Sequence, residues 1–321
     1  MCSIVSCCHE HGDGRKRTAS QSEMAIGKIY SHTTKAGNHG DVLKHVLFLL
    51  ILQETLETNE EGIRLVDTHA GNGAYDILEV REDDKEMQYY AKGATQGVMK
   101  ILNKRQDDDL PIPIKAYVDL VERHNNSKRI ISYPGSPCIS QMVLRPHDEH
   151  ILFELNPSVV EDLQTLFDDN PHAAKIFCDD GVKGACNHVQ PEKHGIYLID
   201  PPYIHPDEGE QVLKAVQQIF HMNRTVTIVI WLPHFREDKG PFAMLYHNLL
   251  THAVSNSLAY LSTSIWVDKM GMMQGSCVFV VNPPSDLKDK LDRSATLPWL
   301  VSCLEQEPGF GKYQINTSSR C

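Results

Sequence analysis

The sequence predicts an α/β doubly wound fold, and three observations predict it. Seven short strand patterns punctuate the chain between Arg64 and Asn282, most of them separated by a helical pattern, which is the alternation of an open α/β sheet. The three central runs are largely apolar, as strands covered on both faces are. Several runs end in an acid or a glycine, at the strand ends where such sheets gather ligands.

Each element follows from its own stretch of chain. Residues 1–25 carry no element pattern and are expected to be a disordered tail; within it, Cys7, Cys8, His9 and His11 match no standard metal site, and no metal is expected. Asp41 to Glu57, DVLKHVLFLLILQETLE, reads as a helix with Asp41 as its N-cap and Gly62 closing the following turn. Its middle is apolar nearly all round, so it should be buried against the sheet. The strand patterns are Arg64–Thr68, Glu149–Leu155, Ala174–Cys178, Gly195–Asp200, Thr225–Leu232, Ala259–Val267 and Gly275–Asn282, with helices expected at Ser158–Phe167 and Glu208–Phe220. In a plain nucleotide-binding unit the ribose-binding acid follows the first glycine turn by roughly 20 residues. Here the first strand ends at Asp67 and the next strand with a terminal acid stops at Glu154. The segment from about 75 to 146, with helical patterns at Glu86–Leu102 and Ile114–Asn125, therefore reads as a helical insertion forming a small lobe over the sheet edge. The globular domain is expected over 26–310, with 311–321 as a C-terminal tail.

Composition excludes several classes. A chain of 321 residues that is 41% hydrophobic and 23% charged can bury a core. Its longest apolar run, Val46 to Leu52, is far short of the roughly 20 residues of a membrane span, so no membrane passage is expected. Nine cysteines without a CxxC pair read as reduced thiols, buried at Cys138, Cys178, Cys277 and Cys303. The N-terminus lacks a secretory pattern, and Glu10 and Asp13 weaken an organelle-import reading of Arg15, Lys16 and Arg17, which leaves the cytoplasm as the expected compartment. A net charge of −11 argues against a protein that coats nucleic acid, so any nucleic-acid substrate has to meet a local basic patch.

The chemistry is concentrated at the strand ends. LVDTHAGNGAYD, residues 65 to 76, is a strand, an acid and a glycine-spaced turn, in which Gly71 and Gly73 let the backbone approach a ligand closely. Alone it is also the pattern of an ordinary tight turn, and neither a GxGxxG nor a Walker lysine is completed. Glu154, Asp180 followed by Gly181, and Asp200 end later strands, so four strands place an acid or glycine on one rim. Such a rim suits an adenosyl ligand bearing a sulfonium: Glu154 takes the ribose hydroxyls, Asp180 the adenine amine, and pyrophosphate is repelled. S-adenosylmethionine is the cofactor this favours.

LIDPPYIH, residues 198 to 205, then gains a purpose. Pro201 and Pro202 fix φ and remove two donors, holding Asp200 rigidly at a strand end. Hydrogen bonds from a conjugated amine to Asp200 and to the Pro201 carbonyl favour the pyramidal nitrogen of a methyl-transfer transition state, while Tyr203 stacks on the base. The chain holds its own control: VVNPPSD at 280 to 286 also follows an apolar strand but has Ser285 in place of the aromatic, and reads as structural. Lys44 and His45, on the first turns of the apolar helix, are placed to reach the methionine carboxylate or the nucleic-acid backbone, and His69 is either a ligand contact or a polar cap.

Together AGNHGDVLKH, VDTHAGNG, YPGSP (133 to 137), FELNPS, CDDG, LIDPPY, VVNPP and LPWL resemble the RlmJ family of 23S ribosomal RNA adenine-N6 methyltransferases, over about residues 28 to 310. The resemblance implies a seven-stranded Rossmann-like sheet with a helical subdomain. It also implies an S-adenosylmethionine site lined by Lys44, His45, His69, Ser136, Glu154, Asp180 and Gly181, a catalytic Asp200, and a substrate-contacting Tyr30. Ser136 rests on that likeness only. The implied partner is ribosomal RNA before ribosome assembly, acted on by a monomer. Departures fall at the substrate entrance: the extra N-terminal residues, with Met24 offering an internal start, Lys35 in place of a histidine, Gly40 in place of alanine, and an acidic IHPDEGEQ after Tyr203. Two other readings stand beside it: the same chemistry on a DNA adenine or a protein glutamine amide, the latter favoured slightly by the negative charge, and a non-catalytic RNA-binding subunit.

Overall fold

The long apolar helix starts two residues before its first acid. The computed structural model describes residues 35–81, 84–168, 174–236 and 241–318; the tail at 1–25 and Tyr30 lie outside the described residues. Helix α1 (His39–Thr58) is capped by Asn38, whose side-chain oxygen accepts from the Gly40 and Asp41 amides at 2.7 and 3.1 Å. Asp41 is therefore not the N-cap. Its carboxylate turns back to accept from the Gly37 amide at 3.0 Å and forward to Lys44. Along α1 nearly every residue is buried, because the helix is covered on all sides rather than on one stripe.

The chain continues through β1 (Arg64–Asp67), β2 (Ala74–Asp76), β3 (Leu78–Arg81), β4 (Asp84–Tyr90), α2 (Lys92–Gln96), α3 (Val98–Asn103), α4 (Ile112–Asn125), β5 (Ser132–Pro134) and α5 (Ser136–Gln141). Then follow β6 (Glu149–Glu154), α6 (Pro157–Phe167), β7 (Lys175–Cys178), α7 (Gly181–Asn187), β8 (Gly195–Ile199), α8 (Glu208–Met222), β9 (Thr227–Phe235), α9 (Pro241–Ser255), β10 (Tyr260–Trp266), β11 (Met273–Val281), α10 (Leu287–Arg293), α11 (Thr296–Leu304) and β12 (Lys312–Thr317). All seven expected strands are present, and they join β12 in one sheet of order β12-β10-β11-β9-β8-β1-β6-β7. From β7 to β9 the neighbours are parallel; β11, β10 and β12 complete the sheet antiparallel. Helices cover both faces. One core unites α1, the insertion, α10 and α11 beneath Leu261, Ile265, Val278 and Val280; the other sets α7, α8 and α9 against Ile228, Ile230, Cys277 and Phe279.

Four expectations are corrected. Residues 86–102 do not form one helix: 84–90 pair with 78–81 as a hairpin, and the helix beyond is split at Gly97 into α2 and α3. The insertion is thus mixed, with β2 pairing β5 as well. Nor is it a separate lobe at the sheet edge, since Val98, Ile101, Tyr117, Leu120 and Tyr133 belong to the same core as α1. Cys178 is exposed, unlike Cys138, Cys277 and Cys303. The final correction concerns 311–321, where Lys312 to Thr317 pair antiparallel with Trp266 to Leu261 and form the edge of the main sheet. KYQINT is a polar edge strand with Ile315 alone packed on the core, so it lacks the apolar run that marked the others. Among the described residues no helix is long and apolar enough to cross a membrane.

If β12 is integral, truncation after Phe310 unpairs the edge of β10 and strips its hydrogen bonds. A thermal scan is expected to show a midpoint lower by roughly 5–10 °C; a dispensable tail leaves it unchanged.

Candidate active site

The order of the sheet reverses between β1 and β8. From β1 the chain steps outward to β6 and β7, then returns to the other side of β1 for β8 and β9. Such a reversal leaves a crevice outside the carboxyl ends of the strands. Asp67 ends β1, Glu154 ends β6, Asp179 and Asp180 follow β7, and Asp200 follows β8, so the acids predicted to share a rim do share it. Their registers confirm the alignment, with Asp67 opposite Leu198 on one side and Leu152 on the other.

On the β6 and β7 side the rim is built by close backbone approach. Gly71 stands at φ +58°, and a Cβ there would lie 2.2 Å from the Tyr75 hydroxyl. Its amide donates to Glu154 Oε2 at 3.1 Å, while Glu154 Oε1 accepts from the Asn156 amide at 2.8 Å. At Gly181 a Cβ would come within 2.0 Å of the Thr68 carbonyl oxygen, so only glycine lets α7 begin this near the β1 turn. Asp180 caps α7, accepting from the Lys183 amide at 3.2 Å and pairing with its ammonium at 2.7 Å. Partial burial pushes the Asp180 carboxyl up, but Lys183 overcomes this and holds it below the usual carboxylate range.

The β8 side rests on one cation. Lys44 Nζ pairs with Asp41 at 3.0 Å and also with Asp200, and all three side chains are largely shielded from solvent. Burial alone lowers the lysine pKa, yet the two carboxylates outweigh it and raise the pKa above its ordinary value, so the ammonium persists. Lys44 was expected at the methionine carboxylate or the nucleic-acid backbone; in the structure its ammonium pairs with Asp200. His45 cannot follow it, because adjacent residues on a helix point about 100° apart. The His45 ring faces the insertion, stacking on Tyr133 with its Nδ1 at 2.7 Å from the Tyr133 hydroxyl, which in turn lies 3.0 Å from that of Tyr117.

Between the two sides sits Asp67. It is buried, its Oδ1 accepts from the His69 amide at 3.1 Å, and the Ser136 side chain acts on its carboxylate, favouring the charged form. Its Oδ2 is buried without a protein partner. Desolvation pushes its pKa up to about 6, against the opposing effect of Ser136 and the amide. Ser136, at the start of α5, thereby acquires a physical role that composition did not disclose. His69, with Nδ1 at 2.7 Å from the Thr68 hydroxyl, is held neutral by burial, its pKa lowered to about 4.

After Asp200, Pro201 and Pro202 lead without helical turns into Tyr203, which adopts φ +52°. A left-handed tyrosine is costly, by about 1–2 kcal/mol. It is held there by a 2.8 Å bond from its hydroxyl to the Trp231 carbonyl and by edge contact with Phe242 at 5.0 Å. Trp231, an aromatic in an aliphatic strand, was not singled out from the sequence; its ring also lies 5.8 Å from Lys44 Nζ, and its indole N–H is buried without a partner. The VVNPPSD segment forms a turn held by its asparagine. Asn282 sits at φ +48° and donates to the Arg224 and Val226 carbonyls at 2.6 and 3.2 Å.

Residues 60–317 match the family model described as "Ribosomal RNA large subunit methyltransferase D, RlmJ". A Haemophilus influenzae protein named "Ribosomal RNA large subunit methyltransferase J" is 33% identical over 290 residues, 89% of this chain and 97% of that protein. The Escherichia coli K12 protein of the same name is 31% identical over 280 residues, 86% and 93% of the two chains. A crystal structure of a Legionella pneumophila protein aligns over 89% of this chain and 99% of its own, with a TM-score of 0.75 at 22% identity, and shares the fold.

Removing the central cation leaves two shielded carboxylates facing each other. Lys44→Met is expected to cost about 3–5 kcal/mol in urea unfolding, far more than the loss of a surface ion pair. A second expectation concerns acid. Burial lowers the pKa of His69 to about 4 and of His150 to about 3. Both rings stay neutral when folded but take up a proton on unfolding below their ordinary value of 6.5. The stability these two rings contribute is therefore fully present above pH 6.5 and falls as pH drops toward 4. His150→Gln should flatten that dependence by about one proton, or about 1.4 kcal/mol per pH unit, in denaturation curves taken between pH 4 and 6.

Proposed function

The chain belongs to the RlmJ family of ribosomal RNA large subunit methyltransferases, and on that premise we propose that it moves a methyl group from S-adenosylmethionine to the N6 amine of an adenine in large-subunit ribosomal RNA. The observation that carries this reading is the Asp200-Pro-Pro-Tyr segment at the point where strand order reverses, its carboxylate anchored by Lys44.

The residues beside it fit an adenosyl cofactor. Gly71 and Gly181 let the β1 turn, Tyr75 and α7 approach closely, Glu154 stands at the next strand end, and the acids of this rim repel a polyphosphate but tolerate a sulfonium. Glu154 would hold the ribose hydroxyls, Asp180 and Gly181 the adenine, and His69, with Ser136 acting through Asp67, the wall beneath. When bound, S-adenosylmethionine supplies a methyl group made electrophilic by the adjacent sulfonium.

The chain's own groups handle the acceptor. An adenine amine is a poor nucleophile because its lone pair is conjugated with the ring. Asp200 accepts one N–H and the Pro201 carbonyl a second, which turns the lone pair out of the ring plane and steadies the positive charge that builds on nitrogen. Lys44 keeps Asp200 oriented, and Asp200 is the nearest base for the proton the amine sheds after transfer. Tyr203, clamped by Trp231 and Phe242, offers its ring to the base. The adenine has to leave its own stack to enter, which favours exposed ribosomal RNA before subunit assembly over a packed ribosome.

Tritium transfer from labelled cofactor onto unmodified ribosomal RNA, followed by nucleoside digestion, tests the reading, with N6-methyladenosine expected. Label appearing only on DNA or on protein overturns the acceptor. Asp200→Ala is expected to lower transfer by about 10²–10³-fold with calorimetric cofactor affinity retained, whereas Glu154→Ala weakens cofactor binding first. An unchanged rate in Asp200→Ala removes the role assigned to that carboxylate.

A further inference from the structure

The rim does not stop at Tyr203. Strand β9 runs parallel to β8, β11 and β12 run against it, and β10 runs with it, so the end of β9, the start of β11, the end of β10 and the start of β12 all lie on the rim that carries Asp200. One row crosses these four strands: His234 is opposite Gly275, Gly275 opposite Trp266, and Trp266 opposite Lys312. Directly paired residues share a face, and Gly275, which has no side chain, leaves a gap there. The rings of His234 and Trp266 close that gap by stacking on each other at 4.6 Å and 7°, and Lys312 Nζ lies 4.7 Å from the Trp266 ring centre.

From the proposed base pocket a run of rings reaches the strand that carries His234. Tyr203 meets Phe242 at 5.0 Å, and Phe242 meets Phe235 at 4.9 Å, next in sequence to His234. The loop between β10 and β11 adds two exposed methionines, Met270 and Met272, tied to Arg236 through its amide and guanidinium. Three cations gather here. Arg236, Lys269 and Lys312 are exposed. Two nearby acids keep their charge but are turned to backbone amides: Asp268 accepts from Met270 and Gly271 at 3.1 and 2.6 Å, and Glu307 from Lys269 at 2.9 Å. Among the described residues no carboxylate is paired with Lys312.

A half-exposed aromatic stack, flexible thioethers and exposed cations, leading away from a base pocket, are the components of a single-strand binding track. We propose that His234, Trp266 and Lys312 form such a track and hold the unpaired nucleotides flanking the target adenine, a base stacking on the Trp266 face that Lys312 Nζ overlies as the ammonium swings out to a phosphate. This rests on the RNA-methylating function above, and it supplies the local basic patch that a chain of net charge −11 needs to bind RNA at all. Tryptophan contributes the stack and lysine the salt-sensitive part of the affinity.

The test is fluorescence anisotropy of the full chain with a labelled, unstructured oligoribonucleotide containing a central adenosine. Trp266→Ala is expected to weaken binding roughly tenfold, and Trp266→Phe, which keeps an aromatic face, to stay within about threefold of the original. Lys312→Gln should reduce the salt dependence of the binding constant by about one phosphate contact. Calorimetry with S-adenosylmethionine and the thermal midpoint check that the cofactor site and fold are intact in each variant. Equal RNA affinity in the original, Trp266→Ala and Lys312→Gln chains overturns the track, as does an original chain that does not bind the oligonucleotide. Methyl transfer to ribosomal RNA is measured alongside: transfer with unchanged affinities sinks the track alone, and Trp266-dependent binding without transfer sinks the function alone.

Discussion

A single ammonium between two shielded carboxylates organises this molecule. Lys44 belongs to the first turns of α1, and Asp200 to the end of β8, 156 residues later. Burying a lysine is unfavourable unless opposite charge meets it, and burying two carboxylates together is worse. The trio Asp41, Lys44 and Asp200 is tolerable only as a set, so the start of α1 and the end of β8 have to stay in register with each other. That constraint points Asp200 along the rim and ties the helix on one face of the sheet to the crevice at its edge.

The remaining pieces support this geometry from both sides. Asn38 and Asp41 fix the entry into α1, so that Lys44 faces the crevice while His45 faces the insertion. The insertion in turn grips the site through the YPGSP stretch, Tyr133 reaching His45 and Ser136 reaching Asp67. A segment that looks peripheral along the chain is therefore part of the core under α1, and its Tyr117, Tyr133 and Leu120 are buried in it. On the far side, Tyr203 accepts an unfavourable backbone conformation because Trp231 and Phe242 overdetermine its position, the pattern expected where a side chain is held for use.

Legibility differed by element for physical reasons. The central strands were readable because burial on both faces forces a continuous apolar run, and α1 because it is apolar all round. β12 was not, since an edge strand with one solvated face and one packed isoleucine has the composition of a loop. Residues 86–90 were read as helix because charged residues and tyrosines are compatible with both states, and pairing with 78–81 decided between them. Glu154, Asp180 and Asp200 were legible as strand-terminal acids. Asp41, mistaken for a cap, and Trp231, one aromatic among aliphatics, were not.

The sequence by itself determined the alternation of strands and helices, the acids at the strand ends, the rigidity of the Asp-Pro-Pro-Tyr turn and the likeness to one family, because each is written in local spacing and residue type. Only the tertiary structure decided that Lys44 serves Asp200, that His45 turns away from the rim, that Ser136 acts through Asp67, and that Trp266 stacks on His234 beside Lys312. Those are contacts between residues far apart in the chain, and their partners are selected by strand order and helix phase, which no local pattern encodes.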